Sequence, residues 1–402
     1  MAARIKSVSV KGLRTLDDFT FEPAKLNVLI GENGCGKSSV VEVFELIRRL
    51  TNQKFIQEYN SIHGGDAQLL RKGQNEIELD IVFELNGNKA GYGISFNSTA
   101  IKKEIYQYGF PDHEPPELTI HRKNGSLSFF EKGKLAQKLE TNQSSNPFFS
   151  VLSLTTRRVD VQTVTNLLNN VEVQLPFDTA PHWATRSKQN RIANARESTI
   201  FAPADQVEVF GANLPNVFFQ LKESGNWDRV MDYVQLGLGY WVEDLKPTPE
   251  PSGGKIALWI KAKGLDKPLP ISALSEGQIG YLGIVAMTQL NRDRTLFCMD
   301  EVETHLHPGL IGRAVEMFEG LAEHCPVILT THSRRVLDAL SDPAASVRAL
   351  ELNQETMATE MKQFDSDALD EWLKDYEGLG QVLDAGYGAS MLVQEENEEF
   401  KK

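Results

Sequence analysis

Apolar and polar residues alternate along "RIKSVSVKGL", with Ile5, Val8 and Val10 on the apolar side, the period-two pattern of a half-buried strand. "KLNVLI" gives a different signal. It is a short apolar run over 25–30 that stops at Gly31, as a fully buried strand does. In "SSVVEVFELIRRL" the apolar spacing lengthens, placing Val40, Val43 or Phe44, and Ile47 on one helical face. The first sixty residues therefore read β-β-α.

Alternation returns between about 76 and 146, most clearly in "NEIELDIVFEL", with "GYGISF", "ELTIHRK" and "SLSFF" as further candidate strands. Helical spacing dominates about 147–240, in "DVQTVTNLLNNV" and "NVFFQLKESGNWDRVMDYVQLGL". "GGKIALWIKAKG" (253–264) is again a strand. Beyond 270 the pattern predicts helix 276–290, strand 295–300, helix 308–323, strand 326–331 and helix 333–340, the alternation of an α/β domain. There is no internal repeat, low-complexity block or sustained heptad series. The expected organisation is an N-terminal lobe (1–90), an inserted strand-rich then helical region (91–240), a C-terminal lobe (241–345) and an extension with an acidic tail (346–402).

Composition narrows the class. The 402 residues are 41% hydrophobic and 24% charged, ordinary for a globular protein with a large core. No apolar run is long enough to span a bilayer, and the N-terminus lacks the apolar block of a secretory signal. Cys35, Cys298 and Cys325 are too few and too scattered for a disulfide framework, so a reducing cytoplasmic home without membrane contact is expected. A net charge of −13 disfavours coating nucleic acid by bulk charge. A local basic face is confined to "HWATRSKQNRIANAR", with Arg186, Lys188, Arg191 and Arg196 beside Trp183, and a plain solvated surface is the competing reading.

The chemistry begins at "GENGCGKSS", which fits the phosphate-loop pattern at Gly31, Gly36, Lys37 and Ser38, between a buried strand and an amphipathic helix. Glycines let backbone N–H groups converge on phosphate oxygens, and the helix N-terminus adds a favourable dipole. Asn33, Gly34, Cys35, Gly36, Lys37, Ser38 and Ser39 are the candidate nucleotide contacts. Lys37 is expected at the β- and γ-phosphates and the Ser38 hydroxyl on Mg²⁺.

"DEVETHLHP" (300–308) crowds three carboxylates and two histidines together, which read alone suggests a transition-metal centre. Its context divides it. The strand before it delivers Asp300 and Glu301 to a sheet's C-terminal edge, where ligands of parallel α/β sheets sit. There Asp300 is the expected Mg²⁺-side carboxylate and Glu301 the group that orients the attacking water. Glu303, His305 and His307 read as a turn into a helix begun by Pro308. "PVILTTHS" brings His332 to the same edge, to contact the γ-phosphate. "LSEGQ" opens another helix, where Ser275 offers a hydroxyl and Gly277 a backbone N–H to an anion, with Gln278 beside them.

The order "GENGCGKSS", "LSEGQ", "CMDE", "HLHP", "TTHS" resembles the ATP-binding-cassette heads of the RecF/SMC-like ATPases, and more narrowly the compact bacterial AAA-type ATPases related to the ATPase half of the OLD proteins. The likeness extends over nearly the whole chain and is most specific over 1–50 and 270–340. It implies a mixed-sheet phosphate-loop NTPase that takes ATP and Mg²⁺. It also implies that Ser275 and Gly277 meet ATP on the phosphate loop of a second subunit, making ATP the glue of a two-fold dimer. Arg14 matches a basic position near the nucleotide in some relatives, and both Gln68 and Gln74 are candidates for the lid glutamine. The turn at 303–307 lies near the dimer interface in such heads, where it is placed to couple the two sites. Glu276 departs from the transporter form of the signature, where glycine is commoner, and the stretch from Lys37 to Ser275 is far longer than in transporter subunits. After 340 no clustered carboxylates suggest a two-metal nuclease, and "FDSDALDEW" reads as a helix start. The expected partners are a second copy, a separately encoded effector in phage defence or, alternatively, DNA in repair. A scaffold that binds ATP with little turnover is the remaining reading.

Overall fold

The computed structural model describes residues 3–109, 115–123, 126–140, 145–155, 158–180, 194–251, 253–364, 369 and 378–384. Among them, strands β1 to β18 fall into three sheets. The site is built on a six-stranded sheet ordered β10-β15-β16-β3-β17-β18. Its strands are β3 (Leu26–Ile30), β10 (Val171–Gln174), β15 (Leu296–Met299), β16 (Val327–Thr330), β17 (Val347–Leu352) and β18 (Thr359–Gln363). All neighbours pair parallel except β17 and β18.

Why these short strands lack polar alternation is plain from their two faces. Leu29, Leu296, Cys298 and Ile328 join a first hydrophobic core. Val28, Phe297, Met299, Val327 and Leu329 join a second on the opposite face. Successive side chains of a strand point to opposite sides, so a sheet walled on both sides needs apolar residues at every position.

The first core lies under an eight-stranded antiparallel sheet ordered β2-β1-β4-β5-β6-β7-β8-β9. It comprises β1 (Arg4–Lys11), β2 (Phe19–Phe21), β4 (Ile77–Leu85), β5 (Asn88–Phe96), β6 (Ile101–Tyr108), β7 (Leu118–Lys123), β8 (Ser126–Glu131) and β9 (Lys134–Glu140). Its alternation is strict along β4, where Ile77, Leu79, Ile81, Phe83 and Leu85 are buried. The helix Lys37–Arg49 packs into this core, with Phe44 edge-on to Phe21 at 6.0 Å between ring centres. The second core sits under a small sheet of β11 (Thr199–Ile200), β12 (Val242–Pro249), β13 (Lys255–Ala262) and β14 (Leu269–Pro270). It also takes in the helices Leu214–Glu223, Trp227–Leu238, Glu276–Gln289 and Pro308–Ala322.

The expected elements after 270 are present with ends moved by one or two residues. Nine of the eighteen described strands were not anticipated, β2, β6, β9 and β12 among them. β2 has three residues. β6 "IKKEIYQY" and β9 "KLAQKLE" carry lysines and glutamates where alternation was sought. β12 "VEDLKPTP" contains two prolines, which argue against a strand except at an edge. It is such an edge, with Pro247 opposite Leu258 and Pro249 opposite Ile256. The expected division at position 90 falls inside β5, which pairs along its whole length with β4, so the N-terminal lobe and the strand-rich region form one sheet. No helix among the described residues is long and apolar enough to cross a membrane. Trp183, Arg186, Lys188 and Arg191, the acidic tail and most of "FDSDALDEW" lie outside the described residues.

Candidate functional site: a phosphate loop and an acidic edge

Register brings the motifs together. Met299 of β15 stands opposite Leu329 of β16, and Thr330 of β16 stands opposite Leu29 of β3. The chain therefore leaves all three strands at one edge, through Asp300, Thr331 and Gly31. A hydrogen bond from Thr331 N–H to Leu29 O, 3.2 Å, ties two of these exits together.

The loop after β3 turns through Gly31, Gly34 and Gly36, whose φ values are 145°, 85° and 109°. Two of these glycines are also sterically required. A Cβ on Gly31 would collide with the Leu350 carbonyl oxygen, and one on Gly36 would come within 2.5 Å of Thr359 Oγ1. Gly34 has open space instead. Thr359 holds the loop from behind, its hydroxyl donating to the Cys35 carbonyl at 2.8 Å. Lys37 is buried, with Nζ donating to the carbonyls of Gly31 (2.7 Å) and Glu32 (3.0 Å), so its charge is held inside the loop's curve. Asn33, Gly34 and Ser38 are exposed at the loop surface. Cys35 and Ser39 are buried: the Cys35 thiol lies 3.8 Å from Lys37 Nζ, and Ser39 receives Arg14 Nη1 at 3.5 Å. Arg14 also pairs with Glu42 of the same helix at 2.8 Å and donates to the Gln68 carbonyl at 3.2 Å.

At the acidic edge one threonine organises two carboxylate residues. Thr330 Oγ1 donates to Asp300 Oδ1 and accepts the Glu301 N–H at 2.8 Å. Glu301 has a left-handed backbone (φ 47°), a conformation that costs about 1–3 kcal/mol in a non-glycine residue and survives only where its surroundings enforce it. Its side chain is exposed and takes one hydrogen bond, from Thr304 at 3.1 Å. Glu303 is committed differently. Its Oε1 accepts the His332 N–H at 2.6 Å and its Oε2 accepts the Thr331 hydroxyl at 2.8 Å. The His332 side chain is exposed.

The signature sits elsewhere, at the start of the helix Glu276–Gln289. Ser275 caps that helix in a reciprocal box: its hydroxyl accepts Gln278 N–H at 3.3 Å, while Gln278 Oε1 accepts Ser275 N–H at 2.9 Å. The Gln278 side chain, expected among the nucleotide contacts, is thus engaged in capping. Glu276 pairs with His305 at 3.2 Å, and a Cβ on Gly277 would stand 2.7 Å from the His305 carbonyl oxygen. His307 caps its own helix by accepting Gly309 N–H at 3.1 Å, with Pro308 opening that helix as expected. The two histidines and Glu303 therefore have separate partners rather than a shared centre. Arg196, expected on a basic face, is buried, donating to the carbonyls of Thr179 (2.6 Å), Ser272 (2.9 Å) and Leu274 (2.8 Å). It braces the chain entering the signature.

Sequence reading missed Thr330, Thr359 and the clamp made by Glu303. Thr330 is the first threonine of "TTHS", and a polar residue ending an apolar strand was its only visible signal. Thr359 had none, because its role depends on a hairpin folding back from over three hundred residues downstream. The site fits a nucleotide with its magnesium ion. The glycine cradle has no room for side chains at Gly31 and Gly36, Lys37 is fixed at its centre, and Ser38 with Asp300 supplies the hard oxygen donors Mg²⁺ prefers.

Comparison with known proteins agrees with this geometry. Residues 26–338 match the family described as "AAA domain, putative AbiEii toxin, Type IV TA system". An uncharacterized protein of Methanocaldococcus jannaschii is 23% identical over 178 residues, 42% of this chain and 20% of that protein. The DNA double-strand break repair Rad50 ATPase of Sulfolobus acidocaldarius is 31% identical over 87 residues, 21% of this chain and 9% of its own length. The chain thus matches a fifth or less of each of these relatives. A crystal structure of an SMC head bound to the C-terminal winged-helix domain of ScpA shares the fold, with a TM-score of 0.52 at 10% identity, covering 91% of this chain and 99% of that one. With its phosphate loop, acidic edge and signature on a fold like that of an SMC head, the chain belongs to that AAA-domain family.

Proposed function

We propose that this chain binds and hydrolyses MgATP at composite sites formed between two copies. The observation that carries this reading is how the two sets of motifs are bonded. Lys37, Asp300, Glu301 and His332 gather at one edge of the parallel sheet. The signature opens a helix of the second core, and its hydrogen bonds and ion pair go to its own cap and to His305. Ser275 is exposed there, available to a nucleotide held by another copy.

In this reading the loop amides and Lys37 bind the phosphates, and Ser38 with Asp300 would hold Mg²⁺, which when bound would supply charge neutralisation at the phosphate oxygens. Glu301 accepts a proton from the attacking water, and its enforced backbone aims the carboxylate. Asp300, bonded to Thr330, keeps its second oxygen for the ion. His332 meets the γ-phosphate.

ATP-dependent pairing controls a separately encoded effector in bacterial phage defence, within a cytoplasmic setting. The family description, which names a toxin–antitoxin system, fits a part in bacterial defence. All three cysteines are buried thiols, which suits a reducing compartment. The partial likeness to a DNA-repair ATPase supports the alternative, in which DNA is the controlled partner. Light scattering of Glu301→Gln tests the pairing: ATP with Mg²⁺ should double its mass and turnover should be lost. Undiminished phosphate release by that variant would remove Glu301 as the base. ATP-dependent DNA cleavage by the purified chain alone would rule out a separate effector.

A further inference from the structure

We infer that Glu303 is a positioning residue for His332, acting through the backbone of the loop after β16; the inference rests on the ATPase reading above. Of the carboxylates in "DEVETHLHP", Glu303 alone has both oxygens engaged by one neighbouring loop. Oε1 takes the His332 N–H at 2.6 Å and Oε2 takes the Thr331 hydroxyl at 2.8 Å. Thr331 is buried, and its own hydroxyl accepts the Ser333 N–H at 2.9 Å. Its backbone N–H is bonded to Leu29, one residue before the end of β3. Residues 331–333 are therefore strapped on one side to the phosphate-loop strand and on the other to Glu303. The His332 side chain carries none of these bonds, so it is held in place by its backbone while its ring stays exposed.

Two features make this a matter of alignment rather than of chemistry at Glu303. Both oxygens already accept hydrogen bonds from this one loop, which suits the carboxylate to holding the loop in place. The restraint is also charge-assisted, and bonds to an ionised acceptor are about twice as strong as neutral ones. Glu303 stands two residues from Glu301, and the turn between them begins with the left-handed backbone at Glu301. Val302, between the two, donates its N–H to the Thr330 carbonyl at 3.2 Å. One short turn thus carries the base and, two residues on, the clamp that sets the histidine opposite it. Glutamine preserves the fit, since its carbonyl accepts the His332 N–H and its amide can donate to the Thr331 hydroxyl. Alanine removes both bonds.

The test combines an activity cycle with a measurement that needs no turnover. Wild type, Glu303→Ala, Glu303→Gln, His332→Ala and the Glu303→Ala/His332→Ala double variant are assayed with MgATP. Amide hydrogen exchange of the peptide containing 331–333 is followed without nucleotide. We expect Glu303→Ala to lower kcat about tenfold with KM little changed, and to lose nothing further in the His332→Ala background. Exchange at 331–333 should accelerate in Glu303→Ala and return to wild-type rates in Glu303→Gln, which should also recover most of kcat. Losses that multiply in the double variant, or unchanged exchange at 331–333, would overturn the inference. Lys37→Ala separates it from the reading beneath: a wild-type chain without Lys37-dependent hydrolysis refutes the ATPase itself, whereas an active, Lys37-dependent enzyme with multiplicative losses refutes only the role of Glu303.

Discussion

The two large sheets solve the same burial problem differently. Strands β3, β15 and β16 have four or five residues, are apolar on both faces, and end in polar loops that carry the candidate chemistry. The antiparallel sheet has strands of up to nine residues, and its β4 alternates strictly. Its chief polar cluster is interior. Glu104 is fully buried between Arg122 (2.9 Å), the Tyr92 hydroxyl (2.6 Å) and Phe148 N–H (2.7 Å). Burial pushes the Glu104 carboxyl up to about 7, against the pull of Arg122 and the two donors. Polar groups at the end of the parallel sheet stand at its open edge, while those inside the antiparallel sheet face one another. In the proposed function the first group serves activity and the second serves stability.

That division can be broken by mutation. The largest effect is expected at Glu301→Gln, which should lower kcat about 10²–10⁴-fold, as removal of a general base does, with an unchanged thermal midpoint. Lys37→Ala should abolish ATP binding measured by calorimetry, again without unfolding the chain. Glu104→Ala should do the reverse. Leaving Arg122 buried without its partner costs about 3–5 kcal/mol, read as a lower urea midpoint, while the remaining folded protein keeps its ATP affinity. If Glu104→Ala changed KM at full folding, the two sheets would not be separable in this way.

A pH series sharpens the same contrast. The folded-state value of Glu104 lies above its unfolded value of 4.5, so the folded chain retains the proton longer. The stability this provides is fully present below pH 4.5 and is lost as pH rises to about 7. Glu104→Gln, permanently neutral, should flatten the urea-midpoint profile across that window, and an unaltered profile would contradict the assignment. The smallest stability effect is expected at Ser275→Ala, about 1 kcal/mol for a lost helix cap, seen in the same denaturation assay.

The legibility of the two sheets in the sequence differed for physical reasons. Alternation marked β1 and β4 because each has one face in the core and one outside it. It missed β9, where lysine and glutamate stand on a strand exposed along its described side chains. Continuous apolar runs marked β3, β15 and β16, and the residues after each run named most of the site. Asp300, Glu301 and Lys37 were legible because strand ends deliver side chains to one place. Glu303 was read as part of a turn, since nothing local shows that a carboxylate reaches a loop almost thirty residues away. Arg196 was read with a basic segment, yet it is spent on carbonyls that shape the signature's approach. Local pattern reports burial well, but it does not report which distant backbone atom a side chain will find.

The composite site is the central claim, and mixing two inactive chains tests it most directly. One chain carries Lys37→Ala and the other Ser275→Arg, and each alone should be inactive. Mixed dimers contain one site in which an intact phosphate loop faces an intact signature, so phosphate release should reappear on mixing. Continued silence of the mixture, with both variants folded and able to pair, would contradict a site shared between two copies.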